Sequence, residues 1–339
     1  MTGVFLGAAD ALDLDGLYRE AHAAGGSPDE ALVLAGRVGL FAPQPGSGST
    51  LALWECLATL ATADLTVARV VEPHLDALAI LAEAGVPAPE GTWGVFAAES
   101  PGTRLQAEYD DGGWVLSGRK PWCSLGTRLD RALITAHVPT GGRRAFAVDL
   151  SHDGVRPVAG TWVSRGLAAV DSGPLDLLRV PAEPVGEENW YLTRDGFAWG
   201  GMGVAACWYG GAVGLARRVM ATAREREPDQ IGLMHLGSID VALHRAAAVL
   251  KDAARAVDHG EAKGKEGARL AARVRSVVVQ SAEEILSVAA HAMGPGPLVY
   301  DEEHARRVAD LQVYIRQHHA ERDSASLGAA VLSLDPPPW

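Results

Sequence analysis

Cysteine is scarce in this sequence, with only Cys56, Cys123 and Cys207 among 339 residues. An odd number of widely spaced cysteines fits neither a disulfide framework nor a clustered metal site, so we expect a cytoplasmic protein with free thiols and no metal. Basic residues are also few: 30 Lys and Arg stand against 42 Asp and Glu, a formal net charge of −12. Because nucleic acids select basic protein faces, we expect no nucleic-acid partner.

Long apolar runs and internal repeats are also missing. No uninterrupted apolar run reaches the roughly 18 residues that a membrane span needs, so we expect none. The first twenty residues include Asp10, Asp13, Asp15 and Glu20, which is not the basic-then-apolar order of a signal peptide. With 48% hydrophobic and 21% charged residues, the composition is that of an ordinary globular protein. A chain of this length exceeds one core, which predicts two or three domains.

Three kinds of segment follow one another along the chain. Apolar residues at helical spacing occupy positions 14 to 85, and prolines at 87 and 89 mark a boundary. Short strand-like runs then continue to about residue 186, among them 131–136 and 144–150 around a Pro-Thr-Gly-Gly turn. Helical patterns return near residue 199 and cover 200–226, 236–257, 268–293 and 304–317. The order predicts helices, then a β-rich unit, then a helical bundle.

The most informative stretch runs from Trp93 to Gly126. The turn-forming residues 110–113 predict a β-hairpin that continues into a half-buried strand. Trp114 and Trp122 stand beside small residues, an arrangement that places a flat ring next to backbone N–H and hydroxyl groups. On spacing alone the same tryptophans are also compatible with filling a barrel core.

Two segments of this stretch carry a resemblance to a known family. Residues 94–100 read GVFAAES and residues 113–126 read GWVLSGRKPWCSLG. They resemble the phrases G-F-A-L-T-E-P and D-G-W-x-L-N-G-x-K-x-W-I-T-N-G of the acyl-CoA dehydrogenase family of flavoproteins, the second without a gap. The resemblance implies an α+β fold: an N-terminal α-helical domain (1–90), a middle β-barrel domain (91–186) and a C-terminal four-helix bundle (187–339).

The resemblance also implies a site for the flavin ring. In the family these two segments hold the isoalloxazine ring through backbone and hydroxyl groups. Here that implies ring contacts from Ala98, Glu99, Trp122, Cys123 and Ser124. Ser124 keeps the hydroxyl of a family threonine, whereas Ala98 has lost the other one.

The segments that bind the FAD diphosphate in the family are altered. Residues 225–232 read EREPDQIG, where acidic side chains replace an arginine-containing motif and would repel a phosphate. A glycine-rich loop has become MGPGPL at residues 293–298, in which Gly294 and Gly296 survive beside prolines that cannot donate. We expect FAD as the cofactor, with FMN or no flavin left open.

The catalytic position also differs. Alignment with the family's R-D-A-x motif at residues 309–312 places His318 where family dehydrogenases have a glutamate base, with Glu321 one helical turn away to orient it. The alternative is a charged helix junction without chemistry. His318 and His319 are adjacent and diverge on a helix, so we expect no metal there.

The implied function is α,β-dehydrogenation of an acyl thioester or related acyl substrate, with electrons passing from the flavin to an acceptor. Two alternatives stay open: a two-component monooxygenase that receives reduced flavin from a reductase, and a non-catalytic subunit of a mixed assembly. The resemblance also implies a homodimer or homotetramer.

Overall fold

The computed structural model describes residues 2–9, 12–225 and 227–339. Four helices come first: α1 (Leu14–Ala23), α2 (Pro28–Val38), α3 (Thr50–Ala63) and α4 (Leu65–Glu83). The helical spacing of apolar residues at positions 14 to 85 predicted this region as helical, and α2 lies within it. That helix has clear local signals, since the Ser27 hydroxyl accepts from the Glu30 N–H and Pro28 occupies its first turn.

Helix α3 lies at the centre of the helical part, and all of its residues but Leu51 are buried. The Ser49 side chain, at the N-cap position, makes no cap hydrogen bond. The cap comes instead from Asp258, whose carboxylate accepts from the Gly48 and Thr50 N–H groups and from the Thr50 hydroxyl. A residue 208 positions away thus accepts the hydrogen bonds from the free N–H groups at the start of α3.

The strands form the predicted β-barrel. Strands β2, β3, β7, β5 and β4 pair in that order and β4 pairs with β2, so the sheet closes. Strand β1 adds to β4 in parallel, and β6 adds to β7 antiparallel. The strands are β1 (Trp93–Phe96), β2 (Leu105–Asp110), β3 (Gly113–Lys120), β4 (Arg131–His137), β5 (Arg143–Asp149), β6 (Val155–Pro157) and β7 (Leu175–Val185).

The β2–β3 hairpin is confirmed. Asp110 pairs with Gly113, and the two residues between them have positive φ, 46° at Asp111 and 84° at Gly112. Such a two-residue turn matches the right-handed twist of the strands.

Helices follow the barrel. They are α5 (Trp190–Thr193), α6 (Asp195–Glu225), α7 (Gln230–Asp258), α8 (Gly264–Met293), α9 (Gly296–Tyr300), α10 (Glu302–Tyr314) and α11 (Glu321–Leu332), with a 3₁₀ turn at Ile315–Gln317. Helix α6 packs against α3, α7, α8 and α10. Small residues allow this close approach: a Cβ added at Gly210 would lie 2.1 Å from the Ala58 carbonyl oxygen.

The barrel is tied to the helices by a buried aspartate. Asp310 on α10 accepts from the Leu167 N–H at 2.5 Å and from the Thr66 hydroxyl at 3.4 Å. Leu167 has a φ of 50°, and a Cβ at the preceding Gly166 would lie 1.9 Å from the Ala309 carbonyl oxygen. One carboxylate therefore joins the end of the barrel to α4 and α10.

Helix α7 is the one helix in the described part of the chain that is long and apolar enough to cross a membrane by length and composition. Its most apolar 18-residue window has a mean hydropathy of 1.2 and is 22% buried. The sequence prediction counted only unbroken apolar runs, and polar residues such as Asp240 interrupt this one. Ile231, Leu233, Met234 and Val241 expose more than half of their surface.

Candidate functional site

The loop after β3 presents a tryptophan at the surface of the barrel. Trp122 exposes 55% of its surface and has a φ of 60°, a left-handed conformation that is uncommon for a bulky residue. The Cys123 N–H donates to the Gly173 carbonyl at 3.1 Å, and the Leu125 N–H donates to the Asp171 carbonyl at 2.7 Å. These bonds hold the loop so that the indole stays outside. Strained backbone of this kind is concentrated at functional sites.

Ser124 turns the other way, toward the helices. Its Oγ accepts from Nη2 of Arg69 at 3.0 Å and lies 2.8 Å from Oγ of Ser172. Arg69 belongs to α4, so this contact joins the barrel loop to the interior of the helical part. Cys123, between the two, is buried with its thiol 3.3 Å from the Lys120 carbonyl, and burial raises the pKa of that thiol to about 12. A neutral buried thiol makes Cys123 a packing residue.

The predicted residues 98 and 99 lie after β1. Ala98 and Glu99 are both exposed, and the Glu99 carboxylate contacts Lys120 at 3.3 Å, His137 at 3.1 Å and Arg143 at 3.3 Å. Burial alone would raise the pKa of Glu99, but the His137 hydrogen bond and the Lys120 and Arg143 charges together lower it. The carboxylate therefore fixes the loop after β1.

His318 is buried beside α8, but in a setting that the sequence did not predict. The helix ends at Gln317 and His318 has an extended backbone, so the three-residue spacing does not bring Glu321 next to it. The carboxylate beside the imidazole is Asp323, 3.8 Å from Nε2, which corrects the proposed orienting residue. Nδ1 accepts from the Ala320 N–H at 3.1 Å, and Nε2 lies 3.2 Å from the Ser276 hydroxyl. Burial lowers the pKa of His318 despite the nearby Asp323 charge.

Behind Arg69 the mostly apolar interior contains two carboxyl groups. Nη1 of Arg69 lies 3.8 Å from Oε2 of Glu72, a buried carboxyl on the same helix. Burial and the charge of Asp76 raise the pKa of Glu72 to about 7, although Arg69 opposes the shift. Glu72 and Asp76 line a cleft with about 470 Å³ of space, part of it open to solvent.

The cleft lies between α3, α4, α6 and the loop at residues 39–45. Its wall includes Trp54, whose side chain is fully buried and whose Nε1 has no hydrogen-bond partner among the residues that the structure describes. A buried indole N–H normally finds a partner, so this donor is available to a ligand or a water molecule. Arg69 contacts Ser124 on one side and Glu72 of the cleft on the other.

Comparison of the fold with solved structures gives clear matches. TdsC from Paenibacillus sp. A11-2, solved with FMN and indole, superimposes with a TM-score of 0.78 at 18% identity over 92% of this chain and 94% of its own. Butyryl-CoA dehydrogenase from Megasphaera elsdenii gives 0.79 at 18% identity over 95% and 99%. The chain has the acyl-CoA dehydrogenase fold. KijD3, solved with FMN and a dTDP-linked amino sugar, gives 0.76 at 20% identity over 94% and 90%. No protein-family model and no curated protein sequence matches the chain.

The two segments that correspond to the family's diphosphate-binding motifs lie at the start of α7 and at the end of α8. Arg226 falls outside the described residues, and Asp229 caps α7 by accepting from the Gly232 N–H at 2.8 Å. The carboxylate thus takes a donor that an anion at this helix end would need. Gly294 has a φ of 65° and ends α8, and Gly296 begins the short helix α9, which packs on α10.

The sequence motifs did not point to three charged residues near the candidate site, Arg69, Glu72 and Asp76. They stand on α4 at intervals of three and four residues, so they share one face of a helix that is otherwise mostly apolar. A charged stripe inside a buried helix was the available signal. His74 lies on another face of α4, and its Nδ1 accepts from the Trp93 N–H at 3.2 Å.

Proposed function

We propose that this chain is a flavin-dependent oxidoreductase whose isoalloxazine ring lies on Trp122. The observation that carries the proposal is the exposed Trp122 indole, held in a left-handed backbone conformation two residues before Ser124. A flat aromatic surface in the same loop as a hydroxyl suits a planar ring that has polar atoms along one edge. The small, exposed side chain of Ala98, in the loop after β1, leaves room for the ring.

The position of the cleft orients the ring. A substrate must approach the flavin at N5 and C4a, where its electron chemistry takes place. Arg69 contacts both Ser124 and Glu72, which lines the cleft, so Ser124 would hold the N5 edge of a bound ring on the side from which a substrate would enter.

FMN fits the chain better than FAD. The diphosphate of FAD needs N–H donors and positive charge, whereas the two candidate segments offer the carboxylates of Glu227 and Asp229 and the prolines at 295 and 297. The FMN in the TdsC and KijD3 structures agrees with this choice.

For the reaction, the interior favours oxygenation of a compact polar or aromatic substrate by reduced flavin and O₂. A long acyl chain needs a continuous apolar tunnel, whereas the mostly apolar cleft carries the carboxyl groups of Glu72 and Asp76. Reduced flavin supplies two electrons to O₂, so that one oxygen atom enters the substrate and the other leaves as water. A separate reductase would then regenerate the reduced flavin. One of the similar structures is of a dibenzothiophene monooxygenase.

Dehydrogenation of an acyl thioester is the second candidate, supported by the buried imidazole of His318. A base needs a free lone pair, and Nδ1 of His318 accepts from the Ala320 N–H while Nε2 pairs with Ser276. For that reason we rank it second. If His318 is the base, replacing it by Ala abolishes reduction of bound flavin by acyl thioesters, whereas full turnover in His318→Ala excludes the role.

The deciding experiment is flavin binding followed by oxygen consumption. Oxidised and dithionite-reduced FMN and FAD are titrated into the purified protein, and O₂ uptake is then recorded with a flavin reductase. We expect FMN binding that Trp122→Ala weakens at least tenfold, while Trp339→Ala, at another exposed tryptophan, leaves it unchanged. Absence of any flavin binding would refute the proposal and favour a non-catalytic subunit.

We also propose that α7 forms an interface between copies of this chain. Helix α7 exposes a larger apolar surface to water than a monomeric protein normally does. That surface is formed by Ile231, Leu233, Met234 and Val241. Light scattering should show a dimer or tetramer that Met234→Lys dissociates, whereas Lys251→Glu on the same helix does not. A monomeric wild-type protein would contradict this interface.

A further inference from the structure

We propose that Arg69 and Ser172 fix the Ser124 hydroxyl as a hydrogen-bond acceptor toward the flavin, so that the site binds reduced flavin more tightly than oxidised flavin. The inference rests on the proposed flavin site and adds its preferred redox state. Arg69 and Ser172 lie outside the two segments that carry the flavin motif, on α4 and on the loop before β7.

Arg69 takes the first of the three hydrogen-bonding positions of the Ser124 oxygen. A guanidinium group only donates, so its Nη2, at 3.0 Å, must occupy a lone pair of Oγ. The hydroxyl proton of Ser124 therefore cannot point at Arg69. The guanidinium is held in place by Glu72 at 3.8 Å and lies 5.8 Å from the centre of the Tyr314 ring.

Ser172 takes the second position and accepts the proton. Its Oγ lies 3.0 Å from the Val170 carbonyl oxygen, which can only accept, so the single proton of Ser172 points there. The contact of 2.8 Å between the Ser172 and Ser124 oxygens then requires Ser124 to donate. All three contacts are satisfied only when Arg69 donates to Ser124, Ser124 donates to Ser172, and Ser172 donates to the Val170 carbonyl.

The third position of Ser124 is a lone pair. Within residues 2–9, 12–225 and 227–339, the Ser124 side chain makes no hydrogen bond other than those to Arg69 and Ser172. Oxidised flavin has only a lone pair at N5, whereas reduced flavin carries a proton there. Two acceptors repel each other, while an acceptor opposite an N–H forms a bond. The fixed hydroxyl therefore selects the reduced ring, which suits a protein that receives reduced flavin from a reductase.

The test is the ratio of the dissociation constants for oxidised and dithionite-reduced FMN, measured anaerobically by ultrafiltration. We expect the wild-type ratio to exceed one. In Ser172→Ala the Ser124 proton loses its acceptor and turns to oxidised N5, so the ratio should fall about tenfold. For a two-electron couple that is a decrease of about 30 mV in the potential of bound flavin. Ser124→Ala should also lower the ratio.

Ser117→Ala is the matched control, because Ser117 lies on β3 and accepts from the Arg179 N–H instead. Its ratio should equal that of the wild type. A purely structural role of Ser172 would weaken binding of both redox forms equally, and an unchanged ratio in Ser172→Ala would overturn the inference while leaving the flavin site standing. A wild-type protein that binds neither form would overturn the proposed function itself.

Discussion

The Asp310 carboxyl offers a quantitative test of how the barrel is tied to the helices. Burial and the charge of Asp64 raise its pKa from 3.8 to about 6, although the Leu167 N–H bond and Arg306 oppose the shift. A raised carboxyl pKa means that the folded protein binds this proton more tightly than the unfolded chain does. Protonation of Asp310 therefore stabilises the fold fully below pH 3.8, and this stabilisation is lost as the pH rises through 6.

The perturbation is Asp310→Asn, which keeps an oxygen for the Leu167 N–H and removes the titration. A difference of about 2 pH units corresponds to about 3 kcal/mol in total. By the linkage relation, about 1.4 kcal/mol of this contribution to the free energy of unfolding is lost between pH 5 and pH 8. The free energy of unfolding of the wild type, minus that of Asp310→Asn, should therefore fall by about this amount from pH 5 to pH 8.

The assay is urea denaturation at several pH values. The slope of the free energy of unfolding against urea concentration should be the same in both proteins at each pH. Asp252→Asn is the control, because that exposed side chain should give a flat difference. A flat or rising difference for Asp310→Asn would refute the reasoning, since it would mean that the hydrogen bonds outweigh the cost of burial.

Two further predictions concern packing around α3, and both are read from urea denaturation. Asp258→Ala should lower the free energy of unfolding by about 1 to 2 kcal/mol because the first turn of α3 loses its cap; no loss would mean that water replaces the carboxylate. Gly210→Ala should cost at least about 1 to 3 kcal/mol because the new Cβ meets the Ala58 carbonyl. Gly36→Ala, in open space on α2, should instead stabilise by about 0.5 to 1 kcal/mol, and equal effects at both glycines would contradict the packing argument.

Local patterns predicted most of the architecture. The Asp111-Gly112 turn and the alternating residues of β3 are short-range signals, and the structure has the hairpin where they place it. The barrel strands at Arg131–His137 and Arg143–Asp149 follow from the same kind of pattern. Such features depend on neighbours in sequence, which a single chain displays.

Contacts across the fold were not predictable in the same way. The orienting role of Glu321 assumed a continuous helix, but the helix ends before His318 and brings Asp323 into contact instead. The cap of α3 comes from Asp258, and the partner of Ser124 is an arginine 55 positions away. No periodicity or motif records such pairs, because tertiary packing alone creates them.

The burial of α3 has a consequence for synthesis of the chain. Its cap and its closest packing partner, Asp258 and Gly210, are made long after Thr50–Ala63 has left the ribosome. At about 5 to 20 residues per second, the 208 residues up to the cap take about 10 to 40 seconds. During that time this very apolar helix can pack only against neighbours such as α1 and α4, so the nascent chain should be a client of chaperones that hold exposed apolar segments until α6 and α7 arrive.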